Sequence, residues 1–247
     1  MNKKFIPLFL VAIALTAQAL PAAYTPERQL GMLHVLAKLG HTQSLERFLP
    51  HCTIHIDTKQ HGYTALHFAA SNGHVEFLRK LIAYGADIEA KNDQFGTTPL
   101  LLAVALNQPA CVQELLKLGA NDAAIAEELC PLQMAIQAGN SDCMKILINH
   151  NPAIIHKKDN LGLTPLHYAA TSGTLACVEV LIEHAADVHA RTNNGKTALD
   201  LVRTIGLTKI MMAQLSEEVT RDDLIETNNC LMIYEYLKNK MAEQSHE

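Results

Sequence analysis

The sequence predicts an all-α solenoid in which helix-turn-helix units stack side by side and are joined by hairpin-like loops. Three observations predict it. A short pattern recurs about every 33 residues. Each copy contains a residue that favours a helix start and most contain a glycine that favours a helix end. Aromatic residues make up only 5% of the chain and Trp is absent, which favours small, closely packed helices over aromatic-rich strands.

Composition supports a folded chain and argues against some partners. With 49% hydrophobic residues in 247, the chain can bury enough apolar surface to fold. The net charge is -5, and lysines and arginines are scattered along the sequence among acidic residues. A protein that holds nucleic acid by neutralising phosphates needs clustered basic residues. We therefore predict that nucleic acid is not a partner.

Residues 1–23 have the layout of a secretory signal peptide. Lys3 and Lys4 precede an apolar run from Phe5 to Leu15, and small residues follow at Ala17 and Ala19. A second small-residue site at 21–23 leaves the cleavage position open. The apolar run is shorter than the roughly 20 residues that a membrane-spanning helix needs. We predict export to the periplasm or the exterior, with no stable membrane insertion after signal cleavage.

The repeat is defined by aligned glycines. Steps of 34, 66 and 33 residues separate the glycines that begin the pattern, which are Gly62, Gly96, Gly162 and Gly195. The long step contains one more unit, which starts at Cys130-Pro131-Leu132. A leading unit places Leu33-His34 one period, 33 residues, before Leu66-His67.

Each unit has the signals of two short helices. A threonine precedes the first helix, where its hydroxyl accepts from the free amides of the first turn; the four are Thr64, Thr98, Thr164 and Thr197. Proline often follows, at a position where its missing N–H costs nothing. The expected helix-ending glycines are Gly73, Gly139, Gly173 and Gly206. A second helix, from about Val75 to Tyr84 in one unit, has an apolar stripe that only a neighbouring unit can cover.

These residues resemble the ankyrin-repeat family, whose period is about 33 and whose signature is Thr-Pro-Leu-His-x-Ala. Thr164-Pro165-Leu166-His167-Tyr168-Ala169 reproduces it in full, and Gly85-Ala86-Asp87 matches the end of the unit. The resemblance is close over about residues 28–203. It divides the chain after the signal peptide into a capping repeat 28–60, repeats 61–93 and 94–127, a degenerate repeat 128–160, a repeat 161–193, a C-terminal capping repeat with an insertion 194–240, and a tail 241–247.

The C-terminal unit departs from the pattern after Gly206. Asn228 to Lys240 offers a new apolar run. We interpret Cys230 to Lys240 as a displaced second helix and Leu207 to Thr227 as a largely helical insertion.

Histidines and cysteines receive structural roles. His34, His67 and His167 share one repeat position, at which the resemblance implies an imidazole that bonds within and between the turns. Cys111, Cys143 and Cys177 align with Phe77 on the buried stripe. Stacked units lie roughly 10 Å apart, too far for a disulfide, so we expect free, buried thiols. In the degenerate repeat Cys130 replaces the capping threonine and Gln133 replaces the histidine, which makes that unit the least stable or adapts it to a partner.

No residue pattern indicates catalysis or a cofactor. The one group with some metal-ligand character is His51, Cys52, His55, Asp57 and His61, but its spacing matches no closed zinc pattern and it lies in an expected loop. Phosphate-binding, hydrolase and dinucleotide motifs are absent from the sequence. We predict no enzyme, no metal and no cofactor.

The resemblance implies that a partner lies across the loop tips and the ends of the first helices. The residues at these positions that we predict to bind it are Tyr63, Ser71, Asn72, Gln94, Phe95, Thr97, Ala105, Leu106, Asn160, Leu161, Leu163, Thr171 and Ser172. Several are apolar where solvent favours polar residues, and a connected apolar patch marks an interface. The alternative is that these side chains only pack at the loop bases.

The sequence therefore predicts an exported, monomeric protein-protein interaction module, either a scaffold or a secreted factor. The alternative is an inhibitor or immunity-like protein that occludes an enzyme. A metal-binding protein or an enzyme is a weaker third hypothesis.

Overall fold

The computed structural model describes residues 25–122, 130–215 and 221–244; side-chain surroundings are described for 25–122, 130–208, 225 and 227–244. The predicted signal peptide lies outside these residues. The chain divides into two compact units, Met1–Glu128 and Leu129–Glu247. Within the described residues both units are helical.

The described residues of the first unit form three helix pairs. The helices are α1 (Pro26–Leu39), α2 (Thr42–Phe48), α3 (Ala65–Ser71), α4 (Val75–Ala83), α5 (Pro99–Ala105) and α6 (Pro109–Lys117), with a 3-10 turn at Leu49–His51. Each pair folds back on itself, so that α3 packs on α4 and α5 on α6. First helices also pack on first helices, and second helices on second helices, along the stack. This is the predicted side-by-side arrangement.

The second unit repeats the plan with a longer last pair. Its helices are α7 (Pro131–Gln137), α8 (Ser141–His150), α9 (Pro165–Ser172), α10 (Leu175–Glu183), α11 (Ala198–Leu215) and α12 (Arg221–Gln244), with a 3-10 turn at Pro152–His156. Helix α9 packs between α7 and α11, and α12 packs against both α10 and α11. Helix α12 thus covers the predicted segment Cys230–Lys240 and extends beyond it at both ends.

The predicted helix starts are confirmed. Thr64 is the N-cap of α3, where its hydroxyl accepts from His67 N at 3.4 Å, and Thr98 accepts from Leu101 N at the same distance on α5. At Thr197 the cap is reciprocal, because Asp200 N donates to the Thr197 hydroxyl and Thr197 N donates back to the Asp200 carboxylate. Cys130, in the same position on α7, makes no side-chain cap bond. The degenerate repeat therefore lacks one stabilising contact that its neighbours have.

The core is the predicted apolar stripe. Phe77, Leu78 and Leu81 of α4 are fully buried. Cys111, Cys143 and Cys177 are also fully buried and free, as expected from their alignment with Phe77. Burial raises the pKa of each of these three thiols to about 11. They are small core residues and not reactive groups.

Several glycines that end first helices also contact a side chain of the next repeat. Gly73, Gly139 and Gly173 take the predicted left-handed conformation, and Gly40 does so after α1. A Cβ at Gly40 would stand 2.4 Å from the His74 ring, and one at Gly73 would stand 2.4 Å from the Gln108 amide. At Gly139 the Thr174 side chain occupies the same place, at 3.7 Å. Side chains at the start of the next second helix therefore cover the turns at Gly40, Gly73 and Gly139, whereas a Cβ at Gly173 would meet nothing within 4 Å.

The prediction that Gly206 ends a helix is wrong. Helix α11 runs through it to Leu215, and Gly206 is not among the glycines of positive φ. The residues after Gly206 are mostly good helix formers, including leucine, lysine, methionine and alanine, so the sequence there contains no stop signal. A Cβ at Gly206 would lie 3.8 Å from the Cys230 Cβ, an ordinary packing distance between α11 and α12. None of the helices in the described ranges is both long and apolar enough to cross a membrane.

Candidate partner-binding surface

The loop before α5 is held by one side chain. The Asn92 Oδ1 atom accepts from Phe95 N at 3.0 Å and from Thr97 N at 2.9 Å, and Asn92 N donates to Thr97 O at 3.0 Å. Asn92 is buried, so these bonds form away from competing water. Phe95 nevertheless has 77% of its surface exposed. The loop thus presents an aromatic ring from a fixed backbone.

The neighbouring hairpin supports this loop from the side. Asp93 N donates to Gly62 O at 3.1 Å, and the Lys59 ammonium pairs with the Asp93 carboxylate at 2.5 Å. The Tyr63 hydroxyl donates to Gln94 Oε1 at 3.2 Å. Successive loops in the first unit are therefore linked by backbone and side-chain bonds, and Phe95 projects from a connected surface.

In the second unit, the Asp159 carboxylate accepts the backbone hydrogen bonds that the Asn92 side chain accepts in the first unit. The Asp159 Oδ1 atom accepts from Leu161 N at 2.9 Å and from Leu163 N at 2.7 Å, while Oδ2 accepts from the Tyr168 hydroxyl at 2.5 Å. Desolvation acts to raise the pKa of Asp159, but these hydrogen bonds outweigh it and lower the pKa below its usual value. Leu161 is 65% exposed on the hairpin that results.

Tyr168 connects this hairpin to the degenerate repeat. Burial and the hydrogen bond to Asp159 raise the pKa of Tyr168, and a side-chain hydrogen bond from Gln133 acts in the opposite direction. Gln133 thus interacts with Tyr168, which bonds to the carboxylate that holds the Leu161 loop. Three of the other repeats have a histidine at the position of Gln133. This gives the substitution at Gln133 a structural role that its sequence position alone does not reveal.

The histidines that share one repeat position link each turn to the next. Both His67 and His167 accept the N-cap amide at Nδ1, from Thr64 N at 3.2 Å and Thr164 N at 3.1 Å. Their Nε2 atoms lie 2.9 Å from Thr97 O and 3.2 Å from Lys196 O, so each ring is assigned as neutral with its proton on Nε2. Burial lowers the pKa of both rings, against the opposing effect of these backbone bonds. His34 similarly bridges to Tyr63 O at 3.1 Å.

The predicted positions at the ends of the first helices differ in exposure. Leu106 is 53% exposed, and Asn72, Thr171 and Ser172 are also exposed. Ser71 and Ala105 are half-buried. The polar side chains bond to their own helices: Asn72 Nδ2 donates to Phe68 O at 2.7 Å, for example. Leu106 is the apolar member of this set that is exposed.

Among the predicted tip residues, one does not belong to the surface. Thr97 is buried, with its N–H bonded to Asn92 and its carbonyl bonded to Asn92 N and His67. Asn92 and Asp159 close equivalent turns, but Asn92 stands four residues before Gly96 and Asp159 stands three residues before Gly162. The loop before Gly96 is therefore one residue longer. Tyr63 and Leu163 are half-buried, and Gln94 and Asn160 are exposed.

Four cationic side chains that look scattered in the sequence lie on two neighbouring hairpins of the second unit. Lys157 and Lys158 precede Leu161, and Arg191 and Lys196 flank the next loop; all four are exposed. Lys158 and Arg191 are one repeat period, 33 residues, apart, so stacking brings their hairpins together. Comparing basic residues at the same repeat position would have indicated this pair from sequence.

The group with metal-ligand character is dispersed. Cys52 turns towards Gln29 Oε1, at 3.7 Å, and Asp57 accepts from Asp87 N at 3.0 Å. His55 Nδ1 accepts from Asp57 N at 3.2 Å. In the described ranges, no three histidine, cysteine or acidic side chains are placed to hold a metal ion.

The comparisons with known proteins identify the family. A family model described as ankyrin repeats in three copies matches residues 33–126 and 120–192, well over half of the chain. The chain belongs to the ankyrin-repeat family. Its all-α helix pairs, threonine caps and bridging histidines are thus features of ankyrin repeats, and the predicted fold is confirmed.

The chain spans only a small part of the curated relatives it matches. Inversin of Gallus gallus is 39% identical over 101 residues, which is 40% of this chain and 9% of inversin. The human transient receptor potential cation channel subfamily A member 1 is 33% identical over 101 residues, 40% of this chain and 9% of the channel. Human neurogenic locus notch homolog protein 2 is 29% identical over 155 residues, 62% of this chain and 6% of that protein. The ankyrin repeats of this chain therefore correspond to less than a tenth of each relative.

One solved structure matches over nearly its whole length. It is a chain from the complex of the predatory endopeptidase Bd0816 of Bdellovibrio bacteriovorus with immunity protein Bd3460. The match has a TM-score of 0.59 and 27% identity, and it covers 75% of this chain and 97% of that one.

Proposed function

We propose that this protein is a non-catalytic, exported protein-protein interaction module that binds its partner through the apolar tips of its loops. The observation that carries the proposal is the exposure of Phe95 and Leu161 on loops whose backbones are fixed by Asn92 and Asp159. A large apolar side chain in water offers no folding benefit, but it contributes strongly to binding when it is already ordered. Membership of the ankyrin-repeat family supports the same use.

Export rests on the residues that precede the described chain. Their basic start, apolar run and small-residue site support a cleaved leader. Expression of the full chain in a bacterial host, followed by fractionation and N-terminal sequencing, tests this. Recovery of the intact chain in the cytoplasm would rule out export in that host.

The double substitution Phe95→Ser and Leu161→Ser tests the binding surface. Both side chains are exposed, so the helical circular dichroism and the unfolding midpoint should change little. Binding to a partner identified by cross-linking to the wild-type chain should be lost. The matched control is Tyr84→Ser with Leu118→Ser, which removes two exposed apolar side chains, 47% and 40% exposed, from the ends of second helices. Equal losses in both double variants would remove the loop tips from consideration.

An immunity-like role is the second candidate, and the solved endopeptidase complex favours it. This chain matches 97% of a chain from that complex, at 27% identity. Such a role implies a stoichiometric complex that blocks an enzyme. The test is titration of an endopeptidase from the same genome with the purified chain, measuring peptide hydrolysis. Loss of hydrolysis at equimolar protein would support inhibition, and undiminished hydrolysis in a stable complex would favour a scaffold.

A further inference from the structure

Two hairpins of the second unit form a basic surface around an apolar side chain. We call residues 157–163 and 191–196 the basic hairpin pair. It contains the exposed cations Lys157, Lys158, Arg191 and Lys196, and its most exposed apolar side chain is Leu161. The chemistry of a partner at this surface is inferred on the basis of the proposed protein-binding function.

The two hairpins are joined by direct bonds. Asn193 N donates to Leu161 O at 3.0 Å, and Asn193 Nδ2 donates to Asn160 O at 2.9 Å. The Lys158 ammonium reaches across to Arg191 O at 3.0 Å. Arg191 in turn donates to Gly195 O at 2.8 Å. The pair is therefore one ordered surface and not two independent loops.

The chain itself balances only part of this positive charge. Hydrogen bonds from Thr197 lower the pKa of Asp200, and Asp200 lies near enough to Lys196 and Arg191 for their charges to help lower it. Asp159, the single carboxylate within the pair, is occupied by Leu161 N, Leu163 N and the Tyr168 hydroxyl. The flanking carboxylates are also engaged: Asp187 accepts from His189 N at 2.8 Å, and Asp200 accepts from Thr197. Within the described part of the chain, no ion pair joins a carboxylate to any of the four cations.

This local charge is opposite to that of the molecule. The whole chain carries -5, whereas the pair carries four cations against one internally bonded carboxylate. Exposed like charges repel one another modestly, so the cluster weakens the fold slightly unless a partner uses it. Opposite charge on a partner would speed association and fix the orientation of binding.

We propose that the basic hairpin pair binds an acidic protein surface, with Leu161 inserted into an apolar depression of the partner. A polyanion such as nucleic acid would use the cations but not Leu161. A protein surface uses both, because a buried apolar anchor supplies affinity while the surrounding charges give specificity.

A random dodecapeptide library displayed on phage is a suitable probe. The full wild-type chain should select peptides rich in Asp and Glu around a Leu or aromatic residue. The charge variant carries Lys157→Gln, Lys158→Gln, Arg191→Gln and Lys196→Gln. It should lose the acidic enrichment, and it should bind the best wild-type peptide about tenfold more weakly or worse. Leu161→Ser should lose the apolar preference and retain the acidic one.

The matched control has the same change in net charge at exposed sites outside the pair. It carries Lys91→Gln, Lys117→Gln, Lys145→Gln and Arg203→Gln. Acidic enrichment that persists in the charge variant, or is lost equally in the control, overturns the inference. Loss of peptide binding in the Phe95 and Leu161 double variant, with the charge variant unaffected, leaves the proposed function intact and refutes only the acidic partner. No peptide selection at all overturns the inference.

Oligothymidylate and phosphatidylserine vesicles provide the competing probes. The wild-type chain could bind one of these two probes, with binding abolished in the charge variant but unchanged in Leu161→Ser. That result would overturn the protein partner in favour of a polyanion or a membrane. Circular dichroism of each variant checks that the helices are retained.

Discussion

Replacing Ala185 by glycine should stabilise the protein. Ala185 follows α10 and has φ of 65, in the left-handed region. The equivalent residues after α4 and α6 are Gly85 and Gly119, with φ of 91 and 93. Alanine pays a steric penalty in this conformation that glycine does not, since its Cβ approaches the following carbonyl oxygen. Ala185→Gly removes that penalty.

The magnitude combines three contributions. The left-handed conformation costs a non-glycine residue about 1–2 kcal/mol. Glycine lowers the free energy of unfolding by about 0.4–1 kcal/mol relative to alanine, because it gives the unfolded chain more conformational freedom. Ala185 is exposed, so little buried surface is lost. The free energy of unfolding should therefore rise by about 0.5–1 kcal/mol.

Urea unfolding followed by circular dichroism measures the change. Two reverse variants, Gly85→Ala and Gly119→Ala, should lower the free energy of unfolding by a similar amount, because an added Cβ at either site meets nothing within 4 Å. Ala176→Gly, the same chemical change on an exposed helical residue of α10, should destabilise by up to about 1 kcal/mol. Equal destabilisation by Ala185→Gly and Ala176→Gly would refute the argument from backbone conformation.

The described contacts support three further predictions. The folded pKa of His67 and His167 lies below the ordinary value of 6.5, so their stabilising contribution is complete above that pH. As the pH falls from 6.5 through the folded pKa, the free energy of unfolding measured in urea should drop by at most about 1.4 kcal/mol per pH unit per histidine. The variant His67→Gln should reduce this slope. Cys111, Cys143 and Cys177 should react with a disulfide reagent only on unfolding, after half-buried Cys52 and Cys130; simultaneous reaction of all thiols would contradict their burial. Asn92→Ala should cost about 1–3 kcal/mol and speed hydrogen exchange at Phe95 N and Thr97 N, whereas Asn92→Asp should keep both bonds as Asp159 does.

Local signals make the helix pairs predictable. A threonine that precedes an apolar run acts within four residues, so Thr64 and Thr98 can be assigned as caps without any knowledge of packing. The burial of Cys111, Cys143 and Cys177 can be predicted from repeat alignment with Phe77. Gly206 is different, because a glycine ends a helix only where the next residues do not favour one, and here they continue α11.

The surface is harder to predict because loop exposure depends on single side-chain bonds. Thr97 and Phe95 are two residues apart, yet Asn92 buries one and leaves the other exposed. Alignment by glycine hides the extra residue in this loop. The basic hairpin pair is hard to find for another reason, since Lys158 and Arg191, 33 residues apart, look unrelated until the sequence is arranged by its period.

The covered glycine turns constrain how such an array can change by duplication or loss of units. The repeat whose first helix ends at Gly40 accepts an imidazole from the next unit, the one whose first helix ends at Gly73 accepts a carboxamide, and the one whose first helix ends at Gly139 accepts a threonine. Because each junction has its own shape, deleting one internal repeat would join two surfaces that were never fitted to each other. Units of this chain are therefore similar in backbone but not interchangeable, and shortened versions should be cut at the ends of the array.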